Sequence, residues 1–293
     1  MCHGAYMNLN NRQRVLLYLL YGEDSGIEIS SLMHRLYIAR RLINSCIKFY
    51  HFVPYKYRIF SFEAFRDVQY NLVSYIEISD NTLRIVPELK EKVQTEILKL
   101  SAAQLNDLSE IKYISIQHPD YQNSAIIEES ILKYTASGSD IREYAPAFHS
   151  DNIIYSIGYE MKSVDFFYCQ LLNNGVKGIL DVRRNAYSFK YGFLSQTLRM
   201  ITKELNLTYS HIPELGVDKS LRRDLTLPGA YDNLFEMYEL DLKNKGHSIQ
   251  TASEIVSSTP TALLCFEADK EFCHRSILSV HLAQETNMSI IHI

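Results

Sequence analysis

The sequence predicts two domains of different class: a mainly α unit, then a three-layer α/β unit on a mostly parallel sheet. Three observations carry this. A chain of 293 residues exceeds what one hydrophobic core usually supports. Its first hundred residues hold three helical patterns and then a pair of β-prone runs. Beyond residue 150, short apolar runs alternate with helical patterns, the rhythm of βαβ units.

In the first unit, "NRQRVLLYLLYG" (Asn11 to Gly22) spaces apolar residues as a helix does and stops at a glycine. "EISSLMHRLYIARRL" predicts a second helix, with Ser30 as its cap and Leu32, Met33, Leu36, Ile38 and Ala39 as its apolar stripe. An aromatic connector, "FYHFVPYKYRIF", leads to "SFEAFRDVQYNLVSY", a third helix capped by Ser61. "YIEISDNTLRIV" (Tyr75 to Val86) places two β-prone runs about a Ser-Asp-Asn turn, a hairpin signature. Three helices and a hairpin make a winged-helix-like domain over residues 1–100. Residues 101–150 are expected to be a helical connector and linker, ending in the small and polar stretch "KYTASGSDIREYAPAFHSDN".

In residues 151–293 the expected order is strand "NIIYSIGY", helix "KSVDFFYCQLLNNG" closed by Gly175, and strand "VKGILDVR". Helix "LSQTLRMITKELN", strand "LTYSHIP" and helix "YDNLFEMYELDLK" follow. Strand "TALLCFEA", helix "CHRSILSVHLAQET" and strand "MSIIHI" complete it.

Composition excludes several classes. No run approaches the roughly 20 apolar residues of a membrane-spanning helix, and "MCHGAYMNLNNRQR" has no signal-peptide core. Five cysteines without framework spacing fit reduced thiols, so a cytoplasmic protein without a membrane partner is expected. A net charge of −4 argues against bulk coating of nucleic acid. Residues 1–60 nevertheless hold eight Lys or Arg against three acids. Arg35, Arg40, Arg41, Lys56 and Arg58 are therefore the candidate DNA or RNA contacts. Such a scaffold also serves for docking or dimerisation, which leaves a homodimer as the alternative.

Ligands of open parallel sheets lie beyond the carboxyl ends of the strands. That rule gathers Asp181, Arg183 and Arg184 from one strand end, Glu267 from another, and Cys273, His274 and Arg275 from the helix after it. In order, "YSIGYE", "ILDVRRNAYSFKYGFLS", "YSHIPELG", "ALLCFEADKEFCHRS" and "IIHI" resemble the family known as domain of unknown function four-eight-eight, with its DVR and CHR motifs. The resemblance covers residues 151–293 and, more loosely through "FVPYKYRIFSFEAFRDV", the first unit. It implies no activity. The chain departs from the family pattern at "GYEM", at Asn185 and Ala186, and at Arg58, positions that shape loops.

Arg183, Arg184 and Arg275 at a helix start are the expected anion site, since guanidinium forks and helix dipole favour one phosphate. Cys273 is the candidate nucleophile, with Glu267, Asp181 and His274 as acid–base candidates. Tyr159, Ser188, Tyr209, His211 and Glu214 are expected to line the pocket. The competing reading ties the arginines to Asp181 or Glu267 as a structural network. Cys265, Cys273, His274 and His211 have no recognised zinc spacing, and Cys273 and His274 would have to point the same way, so no metal is expected and no cofactor is named. There is no Walker sequence and no GxGxxG after a strand; Gly158 alone hints at a phosphate turn. The expected function is a nucleic-acid-associated protein whose second domain binds, and processes, a nucleotide or phosphorylated group. The alternatives are a non-catalytic regulator sensing a small anionic ligand, and a cysteine-dependent thiol or sulfur transfer enzyme.

Overall fold

A computed structural model describes residues 9–42, 49–55, 58–117, 152–218, 221 and 229–293. Its chain divides into two compact units, Met1–Ile141 and Arg142–Ile293.

The first unit opens with α1 (Asn11–Leu20), whose start is fixed reciprocally: Asn10 accepts from the Gln13 backbone, and Gln13 accepts from that of Asn10. Strand β1 (Ile27–Glu28) runs directly into α2 (Ile29–Leu42). Ser30, expected to cap that helix, lies inside it and donates to Glu28 instead. The aromatic connector is a two-stranded ribbon, β2 (Val53–Tyr55) against β3 (Arg58–Phe60). Ser61 caps α3 (Phe62–Arg66), accepting from the Ala64 backbone at 3.2 Å, and a π-helical turn, Asp67–Asn71, prolongs it.

Strands β4 (Ile76–Ser79) and β5 (Thr82–Ile85) form the hairpin, with Asp80 and Asn81 both at positive φ, as its two-residue turn requires. β1 pairs with β5, giving a three-stranded antiparallel sheet of order β1-β5-β4. Helices α4 (Lys90–Ile97) and α5 (Ala102–Gln117) follow, and Val93, Ile97, Leu108 and Ile111 join the core of α1 and α2. The linker stretch from Lys133 to Asn152 lies almost wholly outside the described residues.

Three of the basic residues of this end, Arg12, Arg14 and Arg35, are spent internally. Arg12 binds Asp67 at 2.6 Å, Arg14 binds Glu96 at 3.2 Å, and buried Arg35 binds Glu23 at 2.7 Å and the Leu19 carbonyl at 2.8 Å. Arg35 is thus corrected from a nucleic-acid contact to a helix tie. Arg40 is half-buried with its own partners, and the side chains of Arg41, Lys56 and Arg58 lie outside the described residues.

In the second unit, β6 (Ile153–Gly158), α6 (Val164–Asn173) and β7 (Gly178–Asp181) make the expected βαβ unit, with Ser163 capping α6. Next come α7 (Ser195–Glu204), β8 (Thr208–His211), α8 (Ala230–Leu242), α9 (Gly246–Ser258), β9 (Thr261–Cys265), α10 (Arg275–Thr286) and β10 (Ser289–His292). The five strands lie in the order β10-β6-β9-β7-β8, all parallel. Ile154, Leu180 and Leu263 pack beneath α8, α9 and α10 on one face. Their neighbours Tyr155, Ile179, Ala262 and Leu264 point the other way by strand alternation and are equally buried, as are Phe167, Leu171, Leu198 and Ile201 of α6 and α7. Helix α9 matches no expected element, because Lys245 and Gly246 supply no side-chain cap. Among the described residues no helix is long and apolar enough to cross a membrane.

Candidate functional site

Adjacent strands β9 and β7 send the chain in opposite directions, β7 on to β8 at one edge and β9 back past β6 to β10 at the other. Their carboxyl ends therefore frame a crevice in the sheet. Two buried polar clusters occupy it.

The first is built on Asp181, the last residue of β7 and fully buried. Its Oδ1 accepts from Arg183 Nε at 2.8 Å and from the Arg183 backbone at 3.1 Å; its Oδ2 accepts from Arg183 Nη2 at 2.5 Å and from the Tyr209 hydroxyl at 2.6 Å. Arg183 Nη1 donates to the Tyr159 hydroxyl at 2.9 Å and to the Phe193 carbonyl at 3.0 Å. Burial alone would lower the Arg183 pKa, but the carboxylate of Asp181 outweighs it and raises it. Burial, then Asp181, pushes the Tyr209 phenol up. Tyr159 stacks on Phe193 with ring centres 4.2 Å apart, and His211 Nε2 donates to the Arg183 carbonyl at 2.8 Å. Every strong donor and acceptor here has a partner, so the cluster holds its loop rigid and offers no charge to a ligand.

The second cluster spans Cys265 to Arg275. Cys265 ends β9 and its thiol donates to Glu267 Oε2 at 3.0 Å. The loop then returns so that Cys273 and His274 face the same point as Cys265. The two sulfurs and one imidazole nitrogen all lie within 4.8 Å of one another, and all three residues are buried. His274 Nε2 donates to the Val182 carbonyl at 3.1 Å, the link to β7, and its Nδ1 lies 3.8 Å from Cys265 Sγ.

Three acidic groups cannot all ionise in so small a buried space. Cys265 is pushed well above the ordinary thiol range, first by its hydrogen bond to Cys273, then by burial. Burial and the neighbouring Cys273 charge raise the Glu267 carboxyl. Burial opposes ionisation of Cys273 too, but hydrogen bonds from Cys265 and His274 and the charge of Arg275 outweigh it and hold this thiol well below the usual range. The cluster favours ionisation of Cys273 over that of Cys265.

The open anion site is corrected. Arg275 is buried, with Nε donating to Ser156 at 3.0 Å, Nη1 to the Glu267 carbonyl at 2.5 Å and Nη2 to the Ala268 carbonyl at 2.9 Å. Arg183 is locked to Asp181. Exposed Arg184 reaches Asp218 at 3.6 Å and the Pro213 carbonyl at 3.4 Å. The two buried guanidiniums tie down the loops that carry the site.

Gly158 has the same use. A Cβ there would lie 1.8 Å from the Glu267 carbonyl oxygen, so the glycine lets this loop cross the end of β6. It is corrected from a phosphate turn to a close-approach position. A Cβ on Gly216 would likewise meet the Arg184 backbone at 2.1 Å. Among the pocket-lining candidates, Tyr159 is buried, Tyr209 and His211 are bound in the Asp181 cluster, and Ser188 accepts from the Lys190 backbone. Glu214 is exposed.

Sequence reasoning weighed Cys265 only as a zinc ligand and set it aside, and it missed Ser156 as the support of Arg275. Both sit on strands whose pairing alone brings them to the crevice; the available signal was the position of Cys265 at a strand end, two residues before Glu267.

These features define a class: an α/β domain on an all-parallel five-stranded sheet, with a thiol and carboxylate cluster at the carboxyl edge. Residues 163–282, most of the second unit, match the family model described as Domain of unknown function DUF488. No curated protein and no solved structure matches the chain.

Proposed function

We propose that the second unit is a thiol-dependent group-transfer enzyme with Cys273 as nucleophile. The observation that carries this is the buried contact of Cys273 with Cys265, His274 and Glu267, which lowers the Cys273 thiol and raises the neighbouring carboxyl. In sulfur transfer from a persulfide donor, Cys273 Sγ attacks the terminal sulfur. The donor S–S bond breaks, and the leaving thiolate takes the proton of Glu267. The new persulfide on Cys273 then passes its outer sulfur to an acceptor. Cys273 is itself buried, whereas the preceding loop exposes Phe266 and Phe272, so displacement of residues 266–272 is the route of access. Alkylation of the full chain tests this. Cys273 is expected to react well ahead of Cys169 and Cys265 at neutral pH and to be protected by a persulfide donor; equal, slow reaction of all three rejects the reading.

A second reading rests on a different observation. Tyr187, Phe189, Phe266 and Phe272 are exposed on the loops after β7 and β9, Phe189 to 94%. Planar bases stack on such residues independently of sequence, which supports a nucleic-acid-associated protein that holds a base rather than a phosphate at this edge. In the first unit the order α1, β1, α2, β2, β3, α3, β4, β5 has the three helices and the hairpin of a winged-helix plan, with an added ribbon between α2 and α3, and supports the same reading. Anisotropy of a labelled single strand checks it: Phe189→Ala is expected to weaken binding about tenfold, and identical binding by parent and variant counts against the aromatic edge.

A further inference from the structure

The geometry points to a binding site for a soft divalent cation of the Zn²⁺ class, held by Cys265 Sγ, Cys273 Sγ and His274 Nδ1, with the Glu267 carboxylate next to it, 3.0 Å from Cys265 Sγ. This goes beyond the group-transfer reading, and it sets a condition on it, because a cation here occupies the sulfur that would act as nucleophile.

Four features carry the inference. The first is spacing: a tetrahedral ion with bonds of about 2.3 Å to sulfur and 2.0 Å to nitrogen separates its ligands by roughly 3.5–3.8 Å. Cys265 Sγ and His274 Nδ1 stand 3.8 Å apart, and all three ligand atoms lie within 4.8 Å. The second is the fixed imidazole. A carbonyl can only accept, so the 3.1 Å contact with Val182 places a proton on Nε2 and directs Nδ1 at the sulfurs. A metal-binding histidine characteristically has its outer nitrogen anchored in this way.

The third feature is charge. Two thiolates and a carboxylate repel one another in a buried space, and a dication stabilises all three at once. Arg275, fixed on the carbonyls of Glu267 and Ala268, adds positive charge beside them. The fourth is the donor set: two sulfurs and one imidazole suit Zn²⁺ and do not suit Mg²⁺ or Ca²⁺, which take oxygen ligands. The ligands come from the end of β9, its following loop and the start of α10, so the cation would clamp this loop to the sheet. Binding displaces protons from both thiols and from any imidazolium Nδ1.

Cobalt titration of the chelator-treated full chain tests the site, since Co²⁺ reports its ligands by colour. One Co²⁺ per chain is expected, with an intense sulfur-to-cobalt charge-transfer band and the visible bands of tetrahedral coordination, both lost when Zn²⁺ is added. Affinity should rise with pH, and Cys265→Ser and Cys273→Ser should each weaken it at least tenfold. A variant that fails to fold leaves a test on the parent alone: Zn²⁺ should protect Cys265 and Cys273, but not Cys169, from maleimide. Absence of the charge-transfer band at millimolar Co²⁺, equal affinity in the variants, or no protection by Zn²⁺ overturns the proposal. Slow alkylation of Cys273 in metal-free protein rejects the nucleophile reading and leaves the cation site standing; fast alkylation unaffected by Zn²⁺ does the reverse.

Discussion

The Asp181 and Cys265–Cys273 clusters sit side by side at the ends of neighbouring strands, and they are opposites. In the first, a carboxylate and a guanidinium of equal and opposite charge satisfy one another through paired hydrogen bonds, with Tyr209 and Tyr159 taking the remaining positions. In the second, three acidic groups and an imidazole share a space in which only part of their charge can be accommodated. Equal burial thus goes with balanced charge in one place and unbalanced charge in the other.

The sharpest way to break the comparison is to unbalance the rigid side. Asp181→Ala leaves the Arg183 guanidinium buried without a counter-charge, and loss of one partner of such a pair costs about 3–5 kcal/mol. Denaturant unfolding of the second unit measures this, and a loss under about 1 kcal/mol would show that Arg183 escapes to solvent.

Next, Cys265→Ala removes a hydrogen bond that favours the Cys273 thiolate. The Cys273 pKa should rise, so the inflection of its alkylation rate against pH moves to higher pH than in the parent. In the parent the rate should stay nearly flat from pH 7 to 9, where an ordinary thiol gains. The sign for stability follows: a lowered Cys273 value favours the folded chain above the ordinary thiol range, and this contribution is lost as pH falls through the folded value. A parent rate that climbs as steeply as that of a free thiol contradicts the asymmetry.

The smallest effect sharpens the contrast between sealed and open arginines. Arg184 and Asp218 pair at 3.6 Å with about half of each side chain exposed. Arg184→Ala should change stability by less than about 0.5 kcal/mol, against the several expected at Asp181. A loss comparable to that of Asp181→Ala would mean that Arg184 carries structure through contacts other than this ion pair.

Much of the fold was legible in the sequence because it depends on local patterns. Ser61 and Ser163 cap helices by reaching three residues along the chain, and Asp80-Asn81 turns a hairpin through its own backbone angles. The βαβ rhythm of residues 151–293 follows from which residues are apolar and how they are spaced. Where such local signals were missing, as at the start of α9, or were shared by neighbouring residues, as at Ser30, the reading failed.

The sequence by itself determined that the second unit is an α/β domain, and that its acids, arginines and thiols gather at one end of the strands. Only the tertiary structure decided who pairs with whom. Arg183 and Arg275 look alike in a linear chain, and both carry charge that a phosphate would accept. Whether that charge is open or cancelled depends for Arg183 on how the turn after β7 folds it back on Asp181, and for Arg275 on two loop carbonyls and on Ser156, which the sheet brings to 3.0 Å from a distant part of the chain. The 1/r form of electrostatics and the directionality of hydrogen bonds make those last ångströms decisive, and no spacing along the chain encodes them.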